Sequence, residues 1–165
     1  MEIDFDPTWR DRKGLTALHV VARSDGLWSP EKPRYLIGDP PHRYVAKYLV
    51  ENFGFDINAQ DDEGRTLLHR LVVENGGATK RIAARWERSR AFGITLQKKV
   101  VENVLECIQA FLRLGADPSI QDCHGRLVRD YVNLGIERGW AWGYEGILKE
   151  LDAYRQSEIQ VGPRH

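Results

Sequence analysis

The residues best suited to chemistry are five histidines and two cysteines, and their spacing limits what they can do. Cys123 and His124 are adjacent. A thiol beside an imidazole becomes a nucleophile when a third group orients the ring. The pair could also meet His42 or His165 around a metal. Neighbouring ligands on a turn tip are poorly placed for a closed tetrahedral site, and a tip offers no cleft. The sequence contains no Gly-rich phosphate loop, no His-Glu-x-x-His pair and no Cys-x-x-Cys pair. The expectation is no catalysis, no cofactor and no metal.

A second constellation is basic. Between Gly77 and Val100 the chain carries Lys80, Arg81, Arg85, Arg88, Arg90, Lys98 and Lys99 against Glu87 alone. Thr79 is predicted to cap a short helix placing Arg81, Arg85 and Arg88 at i, i+4 and i+7. With Trp86 and Phe92 beside them, such guanidinium groups suit phosphates, acidic protein surfaces or stacked bases. A solvated helix face balanced by Asp61, Asp62 and Glu63 fits as well, because Lys plus Arg and Asp plus Glu each total 24. A neutral chain argues against a wholesale polyanion binder and leaves a local patch open.

The elements that position these residues come from repetition. Asp11-Arg12-Lys13-Gly14-Leu15-Thr16-Ala17-Leu18-His19 recurs as Asp61-Asp62-Glu63-Gly64-Arg65-Thr66-Leu67-Leu68-His69. A weaker copy is Asp122-Cys123-His124-Gly125-Arg126-Leu127-Val128-Arg129-Asp130. Gly54-Phe55-Asp56-Ile57-Asn58-Ala59-Gln60 and Gly115-Ala116-Asp117-Pro118-Ser119-Ile120-Gln121 precede the second and third copies. The motif glycines supply a tight turn, Thr16 and Thr66 open helices, and Gly54 and Gly115 suit left-handed helix ends.

These phrases resemble the ankyrin repeat, over about two thirds of the chain. The resemblance implies a mostly α fold: a solenoid of helix pairs with short β-hairpin fingers. It also implies that His19 and His69 bond back to the turn backbone as structural locks. Approximate repeats are 11–60, 61–121 and 122–157, within one domain spanning 1–165. The third puts Leu127, Arg129 and Asp130 at the Thr, buried Leu and His positions, so it is expected to cap the C-terminal end. Met1 to Arg10 is expected to cover the other end through Phe5 and Trp9, and the tail from Gln156 to fray. The opening Met and the two caps point to a complete chain.

Gly14 to Gly64 is 50 residues and Gly64 to Gly125 is 61, against about 33 for an undecorated repeat. The surplus falls between paired helices, as insertions near 24–42, 77–94 and 135–143. The first helix of the second repeat is predicted to end near Asn75-Gly76-Gly77. Its return helix is predicted over Thr95 to Leu114, with Val100, Val101, Val104, Leu105, Ile108, Phe111 and Leu112 on one buried face. Trp28, Trp86, Trp140 and Trp142 all fall in insertions, joined by Tyr35, Phe92 and Tyr144. They form a second aromatic layer along one edge, serving either as a satellite core or as an exposed interface.

The family resemblance implies binding of another protein through a concave face of finger tips and first helices. Carried over by motif, that face holds Arg12, Lys13, Leu15, Arg23, Asp62, Glu63, Arg65, Glu74, His124 and Arg126, with Cys123 also at a tip. The insertion edge offers Arg81, Arg85, Trp86, Arg88, Arg90, Trp140 and Trp142. Nucleic acid or an anionic surface could use the basic residues at 80–99, and a homo-oligomer could use the tryptophans. No apolar run approaches the roughly 20 residues of a spanning helix. The acidic N-terminus lacks a signal-peptide core. Cys107 lies on an apolar stripe and Cys123 at a turn, so a disulfide is not expected. The expected compartment is intracellular, cytoplasmic or nuclear.

Overall fold

The computed structural model describes residues 6–22, 41–85, 90–139 and 144–161; for 41–42, 77–85, 90–97 and 155–161 it describes the helical backbone only. The described residues are mostly helical: α1 (Ala17–Val21), α2 (Pro41–Phe53), α3 (Leu67–Arg85), α4 (Arg90–Arg113), α5 (Val128–Glu137) and α6 (Tyr144–Val161). Helices α1, α3 and α5 pack side by side in one layer, and α2, α4 and α6 in a second. Each first-layer helix also packs on the second-layer helix that follows it. The core lies between the layers. Leu18, Leu67, Leu71, Val72 and Val128 meet Val100, Val104, Ile108, Phe111 and Ile147 there. The apolar stripe predicted on α4 is buried throughout except Leu105, which is partly covered.

Helix α3 does not stop at the glycine pair. It runs through Gly76 and Gly77 to Arg85, so Thr79 lies inside it and not at a helix start. Helix α4 begins at Arg90, five residues before the predicted start. The second insertion is thus largely taken up by lengthening two packed helices. Each glycine costs a helix about 1 kcal/mol, and packing of α3 along α4 outweighs that; Gly76 is buried in the process. The C-terminal helix likewise continues past Gln156 to Val161.

No strand occurs among the described residues. The expected hairpin fingers are hydrogen-bonded turns, each too short to support a ladder. In the first, Asp11 N–H donates to Leu15 O at 3.0 Å and Gly14 N–H to Asp11 O at 3.0 Å. Asp61–Arg65 and Asp122–Arg126 repeat both bonds. One oxygen of each leading aspartate also accepts two N–H groups of its own turn.

Tyr144, assigned to the aromatic edge from sequence, is 1% exposed and belongs to the core. Trp9, expected to cover the first repeat, is 63% exposed. Phe5, Trp28 and Tyr35 lie outside the described residues.

Candidate partner-binding face

The three turns are wired to one another. Asp62 N–H donates to Lys13 O at 3.1 Å, and Cys123 N–H to Glu63 O at 3.0 Å, so each tip is fixed to the next through backbone. This approach is why glycine is needed at the tips. Gly14 and Gly64 both have φ +70°, and a Cβ on Gly64 would lie 2.6 Å from Cys123 N.

The motif histidines add a second link. Thr16 N–H donates to His19 Nδ1 at 3.1 Å, which fixes Nδ1 as an acceptor and leaves Nε2–H to donate to Arg65 O at 2.9 Å. His69 repeats this with Thr66 and Arg126 O, the latter at 3.2 Å. The locks therefore bond back to the backbone of Thr16 and Thr66 and also reach forward to the next turn. Burial lowers the pKa of both rings below 6.5, favouring the neutral form that the geometry requires. With both nitrogens committed, neither histidine is free to act as a base.

Two further couplers were missed in the sequence. Gln60 Nε2–H bridges Gly64 O at 2.6 Å and Gln121 O at 2.9 Å. Arg10 does the same one unit earlier, donating to Gly14 O and Gln60 O. Both stand four residues before a turn glycine, so alignment of the phrases contained the signal. Asn58 makes a third bridge, donating to Gly115 O and accepting Asp117 N–H.

Arg70 occupies the centre of the face and was also missed. Its Nε–H donates to the Asp61 carboxylate at 2.6 Å, and its other nitrogens lie 3.2 Å from Glu63 and 3.6 Å from Glu74. Glu63 also pairs with Arg65. One turn later Tyr131 takes the place of Arg70, and its hydroxyl donates to Asp122. The Arg65 and Arg126 guanidinium carbons each lie 5.6 Å from the Tyr131 ring centre. Burial works to raise the Asp122 carboxyl, but hydrogen bonds from Tyr131 and two turn N–H groups outweigh it and hold the pKa at about 2. Between the first two turns lies a cavity of about 160 Å³ lined by Asp11, Lys13, Leu15, His19, Arg70 and Glu74.

Residues 40–75 match the family model for ankyrin repeats, which occur in many copies. That segment is similar to ankyrin repeats. No curated protein matches it. Ankyrin repeats generally mediate protein–protein interaction and are typically non-catalytic.

Of the residues assigned to an ankyrin concave face, Arg12, Lys13, Asp62, Glu63, His124 and Arg126 are exposed. Arg65 and Glu74 are half-buried within the charge network. Leu15 is 6% exposed, so it belongs to the cavity floor and not to a contact surface. Its N–H and C=O are drawn into the Asp11 turn, as those of Arg65 and Arg126 are into theirs. Arg23, Trp86, Arg88, Trp140 and Trp142 lie outside the described residues. Arg81, Arg85 and Arg90 are described as helix backbone only.

The terminal substitutions are accommodated. Asp130 accepts Leu127 N–H at 2.8 Å, replacing the acceptor half of a motif histidine. Arg129 is not buried; it pairs with Asp152 at 3.3 Å. Cys107 is wholly buried, its thiol pushed up to about 12 by burial. Cys123 is exposed at a tip. Among the described residues no cluster of ligands could hold a metal, and no helix is long and apolar enough to cross a membrane.

Proposed function

We propose that the chain is a non-catalytic interaction module that takes a protein partner on the face formed by its three turns and first-layer helices. The observation carrying this proposal is rigidity where contact would occur. Successive tips are joined by backbone hydrogen bonds, by His19 and His69, and by Arg10, Asn58 and Gln60. A surface already ordered loses little entropy on binding. Its exposed charges run from basic Arg12 and Lys13, through acidic Asp62 and Glu63, to His124 and Arg126, which selects partners by charge pattern. The proposed unit is a solenoid of three repeats, 11–60, 61–121 and 122–157, acting inside the cell.

The test places a photo-reactive residue at Lys13, Asp62 or His124 on the face, or at Lys47 or Lys149 on second-layer helices. One partner cross-linked from the tips and lost on charge reversal there supports the proposal. Adducts formed only from Lys47 or Lys149 would sink it.

A second reading draws on the unbroken run of α3 to Arg85, which sets Arg81 and Arg85 one turn apart on a single helix. Binding of nucleic acid or an anionic surface there would weaken steeply with salt. Absence of binding at low salt eliminates it. The Trp140 and Trp142 edge remains a proposal for self-association, tested by molar mass after Trp140→Ala and Trp142→Ala.

A further inference from the structure

The first two turns carry opposite charge. Arg10, Arg12 and Lys13 stand against Asp11 alone, whereas at the second turn Arg70 and Arg65 engage Asp61 and Glu63 and leave Asp62 as the acidic charge at the tip. Within the described residues, the side chains of Arg12, Lys13 and Asp62 point no charge at an ion-pair partner, and Glu63 keeps half its side chain exposed. The Asp62 N–H to Lys13 O bond fixes the two tips side by side. We propose that this pair of tips is a self-complementary face through which two copies of the chain associate, each basic tip resting on the other copy's acidic tip.

Symmetry favours a second copy as the occupant. A two-fold contact requires a patch that complements itself, residue i meeting j and j meeting i. A basic tip held rigidly beside the exposed Asp62 carboxylate satisfies that about an axis between them. The formal net charge is zero, so no long-range repulsion keeps copies apart. The contact is small. Two turns per copy fall short of the roughly 800 Å² per partner of a stable interface, so the pair exchanges quickly and is held by charge. Salt must dissolve it.

The test is sedimentation of the full chain at about 20 mM and about 0.5 M salt. At low salt the weight-average mass should rise with concentration, and at high salt it should return to the monomer. The Arg12→Glu/Lys13→Glu variant and the Asp62→Lys variant should each stay monomeric at low salt. Their equimolar mixture should associate again, because the acidic tip of one meets the basic tip of the other. That rescue also shows that both variants are folded. A wild-type chain that stays monomeric at low salt overturns the proposal. So does association that persists at high salt, or a mixture that stays monomeric where the wild type associates. None of these outcomes bears on the partner proposal, which is read from adducts with a foreign protein.

Discussion

Gly64→Ala and Gly125→Ala form a matched pair that separates backbone strain from contact between repeats. The two glycines have nearly the same φ, +70° and +72°. Left-handed backbone costs an L-residue about 1–2 kcal/mol, and both variants bear that cost. At Gly125 nothing lies within 4 Å of the added Cβ; at Gly64 the Cβ would stand 2.6 Å from Cys123 N and 3.0 Å from Asp122 C. Those are backbone atoms and cannot swing aside. Relief means moving the third turn, at about 1–3 kcal/mol for overpacking and about 1 kcal/mol for the Cys123 N–H bond to Glu63 O. The expected losses are therefore about 1–2 kcal/mol for Gly125→Ala and about 3–6 kcal/mol for Gly64→Ala. Urea midpoints and slopes measure them, and amide exchange at Cys123 locates the damage. Equal losses, or faster Cys123 exchange in Gly125→Ala than in Gly64→Ala, would refute the reasoning.

The lowered pKa of His19 and His69 makes the unfolded chain bind more protons than the folded chain below about pH 6.5. Stability is thus complete above that pH and lost on acidification. The urea midpoint should fall between about pH 7.5 and about pH 5.5, and a His19→Asn/His69→Asn variant should show a flatter slope; a rising midpoint contradicts the assignment. A thiol reagent should label Cys123 rapidly in the native chain and reach Cys107 only on unfolding, since Cys107 is fully buried; two fast thiols would contradict the core. Arg70→Met strands the Asp61 carboxylate, whose side chain is 0% exposed, and should cost about 3–5 kcal/mol. Tyr131→Phe, which removes one neutral donor from Asp122, should cost about 1–2 kcal/mol by the same denaturation assay.

Local chemistry made much of this fold legible. The turn glycines, the left-handed ends at Gly54 and Gly115 with φ +67° and +92°, and the buried face of α4 all follow from residue type and spacing. The errors fall where long-range packing decides. Gly76-Gly77 reads as a break, yet α3 continues because α4 runs alongside it. Leu15 reads as a contact residue because motif alignment gives its position but not its inward orientation. Arg70 and Tyr131 escaped because they differ in type while doing one job, satisfying the second oxygen of Asp61 and Asp122. Only the assembled turns show that equivalence. The face was legible as a set of positions; its wiring was not.

That wiring changes at the third turn. Lys13 O and Glu63 O each accept an N–H from the next turn, and the third turn keeps the parts for the same step: the Asp122 loop, Gly125 with open space above it, and Gln121. The side chains that would carry the coupling onward have changed. Ser119 replaces Asn58, losing the amide that both donates and accepts across the junction. Asp130 replaces His69, keeping the acceptor for Leu127 N–H but offering no ring N–H to a following carbonyl. Arg129 replaces the buried Leu68 and turns to Asp152 on α6. Backbone geometry is thus conserved while two of the side-chain links are withdrawn and one buried apolar position becomes charged. Beside it, Leu127, Val128, Leu151 and Tyr154 line a cavity of about 220 Å³ with Asp117 and Gln121 at its rim.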